Sequence, residues 1–240
     1  MLYDAGSLAS ARFASTTVAN LLWSKQLEHI DAIVISHADL DHFNAIPELV
    51  KRFSVGVIYV GYPMIENDSE SVDKLIELLD GKSIPIRMVA WDDRVKLADG
   101  TLMTVLLPPE YGTGDNDNSN SVVLDVQSCG YRMLLPGDLE KHGMQLLLRQ
   151  PKFDCDVVMM PHHGSKNSRP KDFLEWATPE TAVICASHSK VNPEVIAQIE
   201  EVNCNALSTA NRGTIQFEFN EDAIGISCWL DGQWMPLQRD

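Results

Sequence analysis

The most constraining feature of this 240-residue sequence is a pattern that occurs four times: an apolar, strand-like run ends in a loop that carries histidine or aspartate. The loops are in LYDAGS, VISHADLDHFNA, MLLPGDLE and VVMMPHHGS. Because strand ends in layered sheets converge on one edge, where ligands collect, we expect these side chains to lie close together. Seven or eight side chains of this type would be enough to bind two metal ions.

The stretch VISHADLDHFNA is the densest of the four, with His37, Asp39, Asp41 and His42 within six positions. Imidazole and carboxylate together suit divalent transition metals such as zinc, manganese or iron. The alternative is a solvated turn that caps the next helix. For a single histidine or aspartate the turn is the better interpretation, but four ligand-type residues after a buried strand favour a metal site.

The later loops are weaker when each is taken alone. Asp138 in MLLPGDLE has an alternative role as a helix cap. His162 and His163 follow an apolar strand directly, where no packing role is evident for them. Asp4 alone indicates little. The recurrence of the pattern, more than any single loop, predicts a metal site.

Composition limits the class of protein. Strands alternate with helices, 45% of the residues are hydrophobic, and no linker or repeat is evident, so we expect one α+β domain over 1–240. The formal charge of −15 argues against a protein that coats nucleic acid, but not against a nuclease whose carboxylates hold cations. The five cysteines form no CxxC motif, which predicts buried free thiols and no disulfide-linked partner.

Five motifs in order, LYDAG, SHADLDH, NSNSVVL, LLPGDLE and PHHGS, resemble the metallo-β-lactamase-like domain of the ComEC family of bacterial competence proteins, which bring DNA across the inner membrane. The resemblance runs from Leu2 to about Gly213. It implies a metallo-β-lactamase-like αββα sandwich, with two mixed β-sheets flanked by helices and a dinuclear metal site. It also implies that the chain is a soluble piece of a longer inner-membrane protein with a channel portion; the side of the membrane stays open.

The resemblance implies two divalent ions, manganese or zinc, and assigns ligands by position. These are His37 and Asp39 for one ion, Asp41 and His42 for the other, Asp138 as a bridge, and His162 or His163 to complete the second. Asp41 and Asp138 are the residues expected to carry catalysis. Asp4 and Ser121 are expected to contact the ligand side chains, and not the metal ions, from the outer side of the site. Asp39 stands where the family usually has a second histidine, and the Asn118–Ser121 loop stands where the family has the segment that supplies a third. These departures favour a harder ion such as manganese, or weak occupancy of that site.

The turn after the histidine pair carries donors and positive charge that suit a phosphate group. The predicted substrate contacts are Ser165, Lys166, Asn167, Ser168, Arg169 and, from the later STANRG turn, Thr209. The resemblance implies a metal-dependent phosphodiesterase that degrades single-stranded DNA during DNA uptake. Two alternatives remain: a metallo-hydrolase of a small ester, lactone or phosphodiester, and an inactive domain that binds DNA or regulates the parent channel.

Overall fold

The computed structural model describes residues 1–97, 99–230 and 232–237, which form two compact units. The first unit comprises Met1–Trp91 and Leu107–Val122, and the second comprises Asp92–Leu106 and the chain from Val123 onward. The expectation of a single domain over 1–240 stays a prediction. None of the helices in the described ranges is both long enough and apolar enough to cross a membrane.

The first unit is built on a parallel sheet of four strands in the order β1-β2-β3-β4. The strands are β1 (Leu2–Tyr3), β2 (His29–Ile35), β3 (Ser54–Gly61) and β4 (Ile86–Val89). The helices are α1 (Ala11–Ser24), α2 (Leu40–Phe43), α3 (Ile46–Leu49), α4 (Tyr62–Ile65) and α5 (Glu70–Gly81), and a 3-10 turn lies at Asp117–Asn120. Helices between the strands carry the chain back to the end of the sheet at which the previous strand began, as parallel pairing requires.

The core of the first unit lies between this sheet and its helices. Ile33 and Ile35 of β2 and Ile58 of β3 are fully buried. Helix α5 contributes Val72 and Leu79, whose spacing of seven residues places them on one face of the helix. Burial of each such side chain contributes roughly 1.5–3 kcal/mol. The apolar run before the VISHADLDHFNA loop is therefore an interior strand that fixes where the loop begins.

The second unit contains a mixed sheet of seven strands in the order β11-β10-β9-β8-β7-β6-β5 and a separate antiparallel sheet in the order β12-β13-β14. The strands are β5 (Arg94–Lys96), β6 (Leu102–Leu107), β7 (Val123–Ser128), β8 (Tyr131–Leu135), β9 (Val157–Met159), β10 (Thr181–Ile184), β11 (Asn205–Ser208), β12 (Thr214–Phe219), β13 (Ile224–Leu230) and β14 (Gln233–Pro236). The helices are α6 (Lys141–Leu148), α7 (Pro170–Ala177), α8 (Pro193–Glu201) and α9 (Thr209–Arg212), with 3-10 turns at Pro161–Gly164 and Lys166–Ser168.

Parallel pairing positions the loops that carry histidine and aspartate. In the first unit Tyr3 pairs with Val34, so the loops after β1 and β2 leave the sheet at the same edge. In the second unit β8 pairs with β9 in parallel, and the backbone N–H of His162 donates to the Gly137 carbonyl at 3.1 Å. Within each unit, the sheet therefore brings together side chains that are far apart in sequence.

Candidate functional site

Asp4 is the centre of a hydrogen-bond network at the edge of the first unit's sheet. It follows β1, and its carboxylate accepts hydrogen bonds from the backbone N–H of Ser36 (2.7 Å) and from the Ser36 hydroxyl (2.8 Å). The Nδ1 atom of His42 lies 2.8 Å from the same carboxylate. Asp4 thus holds a ligand candidate in place, which is the geometry that its predicted positioning role requires.

His37 is buried, and its two ring nitrogens have different surroundings. Nδ1 lies 2.8 Å from the Ser36 hydroxyl. Nε2 has no hydrogen-bond partner among the described residues, although a carboxylate oxygen of Asp39 lies 3.3 Å away. Two ligands bound at about 2.0–2.1 Å to one tetrahedral ion are separated by about 3.4 Å. The His37–Asp39 spacing therefore fits two ligands of one ion, and a buried nitrogen without a partner suits metal binding.

The hydrogen-bond partners assign the ring protons of both histidines in the first unit. An ionised Asp4 can only accept, so the Ser36 hydroxyl donates to Asp4 and accepts from Nδ1–H of His37. His42 donates from Nδ1 to Asp4 in the same way. In the neutral rings the lone pair is then on Nε2. This is the arrangement in which an outer carboxylate orients a metal-binding histidine.

Asp41 and His42 lie in the short helix α2, and each offers a ligand atom within 4.8 Å of the other. His37 and His42 satisfy the same limit, and their ring centroids are 4.1 Å apart. The loop after β1 contacts α2 closely, because a Cβ atom at Gly6 would lie 2.2 Å from the Asp41 carbonyl oxygen. The predicted ligands of the first unit therefore form one compact cluster.

Asp138 and the histidine pair form a second cluster, within the second unit. One carboxylate oxygen of Asp138 lies 3.7 Å from Nε2 of His162 and 3.7 Å from Nε2 of His163. Nδ1 of His162 lies 3.1 Å from a carboxylate oxygen of Glu140, and Nδ1 of His163 lies 2.9 Å from the Cys185 carbonyl. Both partners accept hydrogen bonds, so each neutral ring again has its lone pair on Nε2. Both histidines are thus oriented as ligands, and the choice between them stays open.

The backbone of the histidine pair adopts an uncommon conformation. His162 and His163 have φ angles of 47° and 55°, and Gly164 continues the left-handed run at 76°. A non-glycine residue in this region costs on the order of 1–3 kcal/mol, and such strain concentrates at functional sites. The turn is fixed by the His162–Gly137 hydrogen bond and by the Ser165 N–H, which donates to the His162 carbonyl at 2.9 Å.

The hydroxyl groups of Ser165, Ser168 and Thr209, which are predicted to contact substrate, form hydrogen bonds within the second unit. The Ser165 hydroxyl accepts from the Asn167 N–H at 3.2 Å, and the buried Ser168 hydroxyl donates to the Ser165 carbonyl at 2.6 Å. The Thr209 hydroxyl accepts from the Ala186 N–H at 3.1 Å. These contacts shape the turns, and a role in substrate binding stays a prediction for all of these residues.

The predicted basic contacts, Lys166 and Arg169, both form ion pairs. Lys166 pairs with Glu194, and Arg169 Nε lies 2.8 Å from a carboxylate oxygen of Asp172. All four side chains are about half exposed or more, and exposed pairs of this kind contribute only about 0–1 kcal/mol. A phosphate group could displace either partner at low cost, but the two cations do not form a free basic surface.

Ser121 directly follows the 3-10 turn at Asp117–Asn120. It is fully buried, and its hydroxyl has no hydrogen-bond partner among the residues that the structure describes. The next residue, Val122, donates its N–H to the Ser36 carbonyl at 2.8 Å, which brings this loop beside the His37 segment. A small cleft in the first unit is lined by Ser36, His37, Ala38, Gly61, Pro63, Met64, Asp117 and Asn120.

Two residues that position the candidate ligands were missed by reasoning from the sequence. Ser36 contacts Asp4 and His37, and the buried Glu140 contacts His162. Both stand inside the motifs that carry the resemblance, SHADLDH and LLPGDLE. A polar residue within two positions of a candidate ligand in the same motif was the available signal.

Comparison with known proteins identifies the family. The chain is 28% identical over 203 residues to ComE operon protein 3 of Bacillus subtilis (strain 168), which covers 82% of this chain and 26% of that protein. It is 27% identical over 231 residues to competence protein ComA of Neisseria gonorrhoeae, which covers 93% of this chain and 30% of that protein. The chain thus spans less than a third of the length of these relatives. The predicted resemblance to ComEC-family competence proteins is confirmed.

Among solved structures, the chain is similar to CmlA, a diiron β-hydroxylase from Streptomyces venezuelae. It has a TM-score of 0.45 and 10% identity, and the match covers 75% of this chain and 44% of that one. The sequence profile of the metallo-beta-lactamase superfamily matches residues 1–188, which confirms the predicted fold class. The chain belongs to the metallo-β-lactamase superfamily.

Proposed function

We propose that this chain is a metal-dependent phosphodiesterase that cleaves single-stranded DNA during DNA uptake. The observation that carries the proposal is shared by all four candidate histidines. His37, His42, His162 and His163 each follow a buried strand, and each has Nδ1 beside a group that accepts a hydrogen bond from Nδ1–H. This arrangement leaves the Nε2 lone pair for a metal ion.

The donor sets support divalent ions, manganese or zinc. We assign His37, Asp39, Asp41 and His42 as ligands from the first unit, and Asp138 with His162 or His163 as ligands from the second. Both sets mix imidazole with carboxylate, which suits these ions, and the oxygen content favours manganese for the His37–Asp39 pair. When bound, such ions lower the pKa of a water molecule and stabilise charge on phosphoryl oxygens.

The chain's own residues have positioning roles in this proposal. Asp4 and Ser36 fix the tautomers and ring orientations of His37 and His42. Glu140 does the same for His162. Because metal ligands lose affinity when their outer partners are removed, these residues matter for activity although they are not ligands.

DNA is proposed as the substrate because the curated relatives are competence proteins. The chain covers less than a third of them, so the activity of this part is a proposal. The parent protein is proposed to be an inner-membrane channel, and this part to act beside it.

The test combines metal content with substrate range. The purified chain is loaded with manganese or with zinc and assayed on a single-stranded oligonucleotide, on a duplex of the same sequence, and on a nitrophenyl ester and phosphodiester. We expect cleavage of the single strand, reduced at least a hundred-fold in Asp41→Ala and unchanged in Asp31→Ala, an exposed aspartate of β2. Activity on the nitrophenyl substrates alone would indicate a metallo-hydrolase of small molecules and not a nuclease. DNA binding without bound metal and without cleavage would indicate an inactive domain.

A further inference from the structure

Two tyrosines that are distant in sequence form an aromatic pair on the surface of the first unit. Tyr62 opens α4 and Tyr111 lies in the loop after Pro109; their ring centroids are 5.5 Å apart and nearly perpendicular, at 80°. Tyr111 is 74% exposed, which is unusual for a large aromatic side chain held in a defined contact. Much of its ring therefore remains open to a further stacking partner.

This pair lies at the rim of the cleft that His37 lines. The cleft includes Gly61 and Pro63, the residues on either side of Tyr62, and it includes Asn120. On the Tyr111 side, a Cβ atom added at the next residue, Gly112, would lie 2.6 Å from Pro63 and 2.9 Å from Asn120, so the backbone at Gly112 packs against two residues that line the cleft.

The turn that presents Tyr111 is held firmly. The Gly112 N–H donates to the Pro109 carbonyl at 2.9 Å, and the Thr113 N–H and hydroxyl donate to the Asn120 side chain at 2.7 and 2.9 Å. Gly112 has a φ angle of 79°, which favours glycine. An exposed ring on a fixed turn can stack on a ligand with little further loss of conformational freedom.

The charged groups near Tyr62 and Tyr111 are carboxylates, and they indicate which kind of ligand the surface can bind. Glu66 accepts a hydrogen bond from the Tyr62 hydroxyl and raises the pKa of that group, so Tyr62 stays neutral at physiological pH. Glu110 adjoins Tyr111 in the chain, and Asp117 lines the cleft. Carboxylates repel a phosphate group but leave the face of a neutral aromatic base unaffected. The surface therefore suits a nucleobase better than a phosphodiester backbone.

We propose that Tyr111, supported by Tyr62, stacks on a nucleobase of the single-stranded substrate at the rim of the His37 cleft. The inference rests on the proposed function, because it needs a single-stranded nucleic acid as substrate. Any base can stack on an aromatic side chain. This subsite would therefore make the protein prefer single strands over duplexes without selecting a particular base sequence. Paired bases keep their faces inside the duplex and cannot use it.

The experiment compares two fluorescent 12-nucleotide strands, oligo(dT) and a strand of the same length whose central residues are abasic. Anisotropy in EDTA measures binding without cleavage, and KM is measured with manganese. Loss of one stacked base costs about 1–3 kcal/mol, or roughly five- to 150-fold in affinity. We expect wild type to prefer oligo(dT) by about ten-fold, Tyr111→Ala to lose this preference, and Tyr111→Phe to keep it.

Phe13→Ala is the matched control, because Phe13 is an aromatic residue of the same unit, on α1, and its side chain is 71% exposed. It should behave as wild type. The inference is overturned if wild type cleaves both strands with equal KM, or if Tyr111→Ala keeps the wild-type ratio. If wild type neither binds nor cleaves any single strand, the proposed function itself fails. The abasic comparison on wild type needs no variant, so poor folding of Tyr111→Ala does not decide the result.

Discussion

Replacement of Asp4 by asparagine is the most informative single change in the first unit. Asparagine keeps the shape, and it tolerates the left-handed backbone at this position, where φ is 55°. One oxygen of Asp4 accepts from the Ser36 N–H, and the other receives the Ser36 hydroxyl and His42 Nδ1. An amide has only one oxygen, so in either orientation its NH₂ group faces at least one donor.

The expected magnitude follows from these three contacts. Hydrogen bonds to a charged group contribute roughly 1.5–3 kcal/mol each. The Asp4 side chain is only 17% exposed, so solvent replaces few of them. We expect Asp4→Asn to lower the free energy of unfolding by about 2–3 kcal/mol. If the amide faces His42, the ring proton moves to Nε2 and the metal-binding lone pair is lost. We therefore expect metal affinity to fall about 10- to 100-fold.

Calorimetric titration of the metal-free protein with manganese and with zinc measures the affinity, and chemical denaturation in EDTA measures the stability. Asp31→Asn is the matched control, because Asp31 also lies near a histidine nitrogen, His29 Nε2 at 3.8 Å, but its side chain is 79% exposed. The control should change neither quantity appreciably. Equal metal affinity in Asp4→Asn and wild type, or an equal loss in the control, would refute the positioning role of Asp4.

Three further predictions concern packing, the second unit and the thiols. Gly6→Ala should lower the free energy of unfolding by more than about 2 kcal/mol in denaturant melts, because the added Cβ would lie 2.2 Å from the Asp41 carbonyl oxygen. The control Gly81→Ala should be neutral or slightly stabilising, because an added Cβ there would meet no atom within 4 Å. If His162 is the ligand, Glu140→Gln should weaken metal binding about ten-fold in calorimetry, because it weakens the acceptor for His162 Nδ1; unchanged affinity would exclude His162 and leave His163 as the ligand. Thiol titration with Ellman's reagent at neutral pH should label Cys129 rapidly and the other four cysteines slowly, since Cys129 alone of the five is exposed; more than one fast equivalent would be the contrary result.

The slow labelling expected for Cys155, Cys185 and Cys204 agrees with their pKa values, which burial raises. Burial raises the pKa of Cys185 to about 11 and that of Cys204 to about 12, so neither is a thiolate at neutral pH. Burial also raises the pKa of Cys155 strongly. All five cysteines are free thiols, and Cys155, Cys204 and Cys228 are buried as expected; Cys185 is only half-buried and Cys129 is exposed, so the prediction of burial is wrong for these two.

The sequence predicted best what depends on local pattern. The run before His37 is the interior strand β2, and the motifs around Asp138 and His162 follow β8 and β9 as expected. These features are readable because apolar runs define buried strands, and parallel strands place the loops that follow them on one edge.

What the sequence could not show depends on pairing across long separations. Tyr62 and Tyr111 are 49 positions apart and meet only through the fold. The sequence places the positive charge of Lys166 in the turn after the histidine pair, but only the fold shows that Glu194 of α8 forms an ion pair with it. The tautomer of each histidine is set by its Nδ1 partner, and for His163 that partner is a backbone carbonyl, which leaves no trace in residue type.

The central claim is that each of the two histidine clusters, His37 with His42 and His162 with His163, binds divalent metal through Nε2. Anomalous diffraction from crystals grown with manganese or zinc tests it directly, because it locates each ion and identifies its element. The account predicts ion peaks about 2.0–2.3 Å from Nε2 of His37 or His42 and of His162 or His163, with Nδ1 still bonded to its protein partner. Absence of metal at these rings at full loading, or coordination through Nδ1 of His42 with Asp4 displaced, would contradict the account.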